Sequence, residues 1–171
     1  MRNEDKLIRC CCRTTLDQKQ QSGIKRLLSP ALDWAYFFKK IQTESLSPLV
    51  YKTFLKLEDS EGIIPPNIQQ HLKHSYYSCL GDNISYLSQL EKIIGSFQDE
   101  DIATIIFKGL VLSELIYADL GLRFSSDLDI LLRKEDVFKA DTILRELDYY
   151  TAFDIKNFKE YVERSKIGSL K

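Results

Sequence analysis

Between Asn67 and Gln98 apolar side chains recur every three or four positions, at Ile68, Leu72, Tyr76, Leu80, Ile84, Leu87, Leu90, Ile94 and Phe97. That spacing places them along one stripe of a single long amphipathic helix. The residues ahead of it read as shorter helices. Asp17 is placed to cap a helix over Gln18 to Leu28, Ser29-Pro30 opens another through Ile41, and Ser47-Pro48 opens a third through Leu57. A side-chain oxygen at the cap accepts from first-turn amides, and proline is tolerated in that first turn. Trp34, Tyr36, Phe37 and Phe38 lie together on the second of these helices and are read as core.

The pattern changes at Asp101. "IATIIFK" is a short β-branched run, "GLVLSELIY" has the length of a helix, "DLDILLR" is a second strand, and "EDVFKADTILRELDY" is a helix with Val137, Ala140, Leu144 and Leu147 on one face. A third strand is expected in "YYTAFDI", followed by an amphipathic piece, "KNFKEYVERSKI". The fold class is therefore α+β, with a helical leader over residues 1–100 and a small sheet flanked by helices over residues 101–171. Two or three strands rarely make a stable sheet alone, so the chain is expected to be truncated at "GSLK".

Composition narrows the function classes. In 171 residues, 24 Lys and Arg nearly balance 25 Asp and Glu, for a formal charge of -1. No global field draws such a chain onto nucleic acid or an anionic membrane. No apolar run has the length of a membrane span, and the first residues lack the apolar stretch of a signal peptide, so a cytoplasmic location is expected. Cys10, Cys11, Cys12 and Cys79 have no zinc-site spacing and read as reduced, mostly buried thiols. His71 and His74 share the long helix without a third ligand and read as packing or surface residues.

The chemistry concentrates between Lys108 and Asp129. Strand alternation sends Asp127, Asp129 and Leu131 to one face and Leu128, Ile130 and Leu132 to the other. Two carboxylates on one face repel, and a bound cation would relieve them. Lys108-Gly109 closes the preceding strand and opens a helix, where backbone amides and an ammonium favour an anion. Arg123, Ser125 and Ser126 come just ahead of the aspartates. Phosphate donors, a basic side chain and a carboxylate pair together suit a metal-bound triphosphate.

The stretch "FKGLVLSELIYADLGLRFSSDLDILLRKEDVFKADTILRELDYY" resembles the core of the polymerase-beta-type nucleotidyltransferase superfamily, in the branch described as uncharacterised nucleotidyltransferases. "CCRTTLD", "LDWAYFFKKI" and "SPLVYKTF" resemble that branch's helical leader. The resemblance implies a mixed sheet flanked by helices, with Asp127 and Asp129 as ligands and catalytic groups for Mg²⁺ or Mn²⁺ and with Lys108, Gly109, Arg123, Ser125 and Ser126 on the triphosphate. The superfamily's Gly-Ser is Lys-Gly here. A third carboxylate is also expected on a later strand. Asp154, the only aspartate after Asp148, fits that role poorly, which places the third acid beyond Lys171. The implied activity is transfer of a nucleoside monophosphate from a nucleoside triphosphate to an unidentified acceptor, a small molecule or a protein, with little turnover by the 171 residues alone. The alternatives are a degenerate module that binds nucleotide or a partner without catalysis, and a glycosyltransferase, against which the upstream Lys-Gly and the order of elements argue.

Overall fold

Most of the helix start signals hold. In the computed structural model, which describes residues 1–29, 31–57, 62–150, 160, 162–163 and 169–170, α1 (Asn3–Cys11) is followed by α2 (Gln18–Leu27). The Asp17 carboxylate accepts from the Gln20 amide at 2.7 Å, and the Gln20 side chain accepts from the Asp17 amide at 3.0 Å, which closes a reciprocal capping box. The helix expected from Ser29 begins later, as α3 (Trp34–Thr43). Ser29 Oγ instead accepts from Ala31 N, two residues on, and closes a local turn. The cap of α3 is Asp33, which accepts from Tyr36 N at 2.9 Å. α4 (Ser47–Leu55) carries Pro48 in its first turn, and α5 runs from Pro66 to Asp99.

The chain divides into two compact units. The first comprises Met1–Asn83 and Ser113–Phe124. Its main core joins Leu7, Cys11, Ile24, Phe37, Ile41, Val50, Phe54 and Leu72, all buried. Phe37 stacks on Phe54 with ring centroids 6.2 Å apart. Full burial of such side chains contributes roughly 1.5–3 kcal/mol each. Cys11 and Cys79 are buried, Cys10 half-buried and Cys12 exposed, all as free thiols. Burial, aided by neighbouring thiols, pushes the Cys11 thiol well above its ordinary range, and burial with nearby carboxylates pushes Cys79 to about 11. Both are therefore protonated and unreactive at neutral pH.

The second unit comprises Ile84–Leu112 and Ser125–Lys171. The end of α5 contributes Ile93 and Phe97 to a core with Ile102, Leu132, Val137, Ala140, Ile143 and Val162. Strand β1 (Thr104–Ile106) pairs antiparallel with β2 (Ile130–Leu132), Ile105 opposite Leu131, and β2 pairs antiparallel with β3 (Ser169–Leu170). The described sheet is thus antiparallel rather than mixed, within the expected α+β class. Its strands are shorter than the apolar runs that suggested them, because Asp101 (φ +58°) and Lys108 (φ +62°) turn the chain at either end of β1. α7 (Val137–Glu146) buries Val137, Ala140 and Ile143. Tyr149 and Tyr150 are in no strand, and the remainder of "YYTAFDI" and most of "KNFKEYVERSKI" lie outside the described residues. The segment "GLVLSELIY" is α-helical only over α6 (Gly109–Leu112) and then widens into a π-helical turn, Ser113–Tyr117. No helix among the described residues is long and apolar enough to cross a membrane.

Candidate functional site

In the second unit the β1–β2 register decides what meets what. Beyond the last pair, Ile106 with Ile130, the Phe107 amide donates to the Asp129 carbonyl at 3.3 Å. Lys108 and Gly109 are thereby laid against the segment Ser125–Asp129. Asp127 and Asp129 precede β2 instead of lying within it, because the ladder closes at Ile130. Their alternation persists in the extended chain: Leu128, Ile130 and Leu132 pack on the core, and the aspartates face away from it. Asp127 is exposed, whereas the Asp129 side chain keeps 18% of its accessible surface.

Backbone conformation at the turn is unusual for the residues that adopt it. Lys108 has φ +62°, a left-handed conformation that costs a non-glycine residue about 1 kcal/mol or more. Gly109 follows with φ +37°, and a Cβ added there would sit 3.4 Å from the Asp127 carbonyl oxygen and 3.5 Å from Ser125 Oγ. Those are ordinary contact distances, so it is the positive φ that favours glycine here. The left-handed turn leaves Lys108 Nζ 3.7 Å from Asp129 Oδ2 and 4.9 Å from the Phe107 ring centroid.

The charge problem posed by the two carboxylates is met by the chain itself. Lys108 lies beside Asp129, Ser126 Oγ donates to Asp127 Oδ1 at 3.4 Å, and water reaches exposed Asp127. The lysine side chain is 62% exposed, so the pair is screened and worth under about 1 kcal/mol. Ser125 is 3% exposed, and its buried Oγ has no hydrogen-bond partner among the described residues. An unsatisfied buried hydroxyl costs about 1–3 kcal/mol.

The donor set fits a magnesium ion. Two hard carboxylates on one face, one open to water, match an ion that keeps several waters and takes only one or two carboxylates beside substrate phosphates. Among the described residues no group of three or more His, Cys, Asp or Glu could hold a metal. Asp154 lies outside the described residues. His71 and His74 are exposed, and the His71 ring packs 5.1 Å from that of Phe38.

Arg123 belongs to the first unit and the other six candidate residues to the second. Its loop is fastened by residues that the sequence reading missed. Asp119 accepts from Tyr76 Oη at 2.9 Å and from the Gly121 amide at 3.0 Å, and pairs with Lys52 Nζ at 2.9 Å. Asn83, fully buried on α5, donates to the Leu120 carbonyl and, at 2.7 Å, to the Arg123 carbonyl. Ser113 Oγ also donates to the Arg123 carbonyl, at 3.4 Å. Burial by itself would raise the Asp119 carboxyl. The hydrogen bonds from Lys52, Gly121 and Tyr76, with the Lys52 charge, outweigh it and hold the group below the ordinary carboxylate range. The signal within reach of sequence was "YADLGLR", where an aspartate two residues before a glycine favours a side-chain-closed turn.

A family model described as uncharacterised nucleotidyltransferase matches residues 30–167. No curated protein and no solved structure matches the chain.

Proposed function

The chain belongs to the uncharacterised nucleotidyltransferase family, and on that premise we propose that it transfers a nucleoside monophosphate from a magnesium-bound nucleoside triphosphate to an acceptor, a small molecule or a protein. The observation that carries the reading is the apposition of Lys108 and Gly109 to Asp127 and Asp129 across the end of the β1–β2 ladder. In the overall reaction an acceptor hydroxyl oxygen bonds to the α-phosphorus and releases its proton to water, the bond from that phosphorus to the bridging oxygen breaks, and pyrophosphate leaves.

Asp127 and Asp129 would hold the metal, which when bound supplies charge neutralisation for the phosphates and the leaving pyrophosphate. The chain's own residues do the positioning. Lys108 is lightly held, in a loose pair on an exposed side chain, so its ammonium can turn from Asp129 to the phosphates at little cost. Ser125 Oγ is a buried donor lacking a partner among the described residues, beside a glycine whose missing Cβ leaves space between it and the Asp127 carbonyl. Ser126 adds a hydroxyl to the set that serves the triphosphate.

The test is incubation with α-labelled and, separately, γ-labelled nucleoside triphosphates, Mg²⁺ and a cell extract fractionated into small molecules and proteins. Label from the α position should appear on an acceptor, slowly in keeping with the little turnover expected of these 171 residues, while γ label leaves as pyrophosphate. Transfer of γ label alone would mean phosphoryl transfer and overturn the reading. Tight magnesium-dependent binding with no transfer to either fraction would favour the second reading, a module that binds nucleotide without catalysis.

A further inference from the structure

We propose that the Phe107 ring, with Ile105 and Leu131 beside it, is the seat of the nucleoside's base and so determines how much the base adds to binding. The proposal rests on the reading in which Lys108, Gly109, Asp127 and Asp129 hold a magnesium triphosphate. It deepens that reading by naming the residues that meet the part of the substrate beyond its phosphates, all of them in the second unit.

The β1–β2 register builds this surface. Ile105 stands opposite Leu131, and Phe107, whose amide donates to the Asp129 carbonyl, stands opposite Asp129 two residues further along. Directly opposed residues of an antiparallel pair share a face, so Ile105, Leu131, Phe107 and Asp129 line up on the side turned away from the core, while Ile130 and Leu132 pack into it. Ile105 is 62% exposed and Phe107 38%, with Leu131 half-buried. Single exposed apolar side chains need no explanation, but three that adjoin one another and end on a carboxylate of the site do. β1 is also the edge of the described sheet, where charged side chains ordinarily guard an open strand. An apolar pair there is a liability unless a ligand covers it.

Position and size decide the occupant. Phe107 directly precedes Lys108, so a ligand whose phosphates sit at the turn brings the rest of itself within reach of the ring. In a nucleoside triphosphate that remainder is a ribose bearing a planar base, and bases of every kind stack on aromatic side chains. Three side chains are too few for a protein partner, which ordinarily covers roughly 800 Å² a side. The ring is also held ready for a ligand: Lys108 Nζ lies 4.9 Å from its centroid and 3.7 Å from Asp129 Oδ2. When the ammonium turns to the phosphates it uncovers the ring, so one movement of an exposed side chain readies both the phosphate and the base subsites.

Calorimetry on the full chain with Mg²⁺ and either ATP or inorganic triphosphate tests this, with circular dichroism as the control for folding. Phe107→Ala should weaken ATP binding about tenfold, the change expected for one base stacked on an aromatic side chain, and leave inorganic triphosphate unaffected. Phe107→Tyr, which keeps the ring, should bind ATP like wild type. Phe107→Leu keeps an apolar side chain on the strand, guards against loss of the fold, and should show the same selective loss as Phe107→Ala. Equal losses for the two ligands would mean that the ring acts only by propping Lys108, and unchanged ATP binding in both Phe107→Ala and Phe107→Leu would mean that the base lies elsewhere. Either result overturns the proposal while the nucleotidyltransferase reading stands. A wild-type chain that binds neither ligand with Mg²⁺ overturns that reading and the proposal with it.

Discussion

Lys108 Nζ stands 3.7 Å from Asp129 Oδ2, so the cation beside the carboxylate pair is a residue of the same turn that the triphosphate is proposed to occupy. On the proposed reading this ammonium would compete with a metal ion for Asp129 when no nucleotide is present and would assist the phosphates when one is.

Lys108→Ala should therefore act with opposite sign on two ligands. Mn²⁺ alone should bind about two- to fivefold more tightly, since the competing pair is worth under about 1 kcal/mol, while the magnesium nucleotide should bind about tenfold more weakly. Spin relaxation of water reads the first and calorimetry the second. Loss of affinity in both would mean that the ammonium merely shapes the site.

Gly109→Ala tests the left-handed turn. The new Cβ would meet the Asp127 carbonyl only in ordinary contact at 3.4 Å but would be strained at φ +37°, so stability should fall by about 1–2 kcal/mol. Urea denaturation at pH 7 measures it. An unchanged midpoint and slope would show that the turn relaxes without difficulty.

The Asp119–Lys52 pair predicts a pH dependence. The folded Asp119 carboxyl lies below its unfolded value, so its stabilisation is present above about pH 3.9 and disappears as pH falls through the lower folded value. Lys52 is raised, chiefly by its hydrogen bond to Asp119, so its contribution is present below about pH 10.4 and is lost only as pH rises through the higher folded value. Asp119→Asn should be less stable than wild type across the neutral range, and the gap should close below about pH 4. Denaturation series at pH 7 and pH 3 give the comparison, and a gap of equal size at both would contradict the assignment.

Phe37→Ala should cost about 3–5 kcal/mol, because the ring is fully buried between Trp34 and Phe54 in the main core of the first unit. Thermal unfolding followed by circular dichroism checks the figure.

Local patterns in the sequence carried much of this structure. The apolar stripe placed a helix over 67–98, and α5 spans Pro66–Asp99. Alternation alone put Leu128, Ile130 and Leu132 on the core side and the aspartates opposite. What local pattern could not convey was competition and distance. Ser29 and Asp33 both offer cap oxygens within one turn, and the carboxylate took the role. Strand lengths depended on left-handed turns at Asp101 and Lys108, conformations that neither residue type announces. Tyr76 and Asp119 are 43 positions apart, and Asn83 and Arg123 are 40 apart, so nothing in a short window joins them. The pairing of Lys108 with Asp129 was hidden too, since the reading reserved that carboxylate for a metal.

The most direct test is calorimetric titration of the chain with nucleoside triphosphate in the presence and absence of Mg²⁺, for wild type, for Asp127→Asn with Asp129→Asn, and for Lys139→Ala, whose side chain pairs with Glu100 at 2.8 Å. The account predicts magnesium-dependent binding that falls at least about tenfold in the double variant, which removes both anionic ligands of the ion, and that is unchanged in Lys139→Ala. Equal affinity in wild type and the double variant would contradict it.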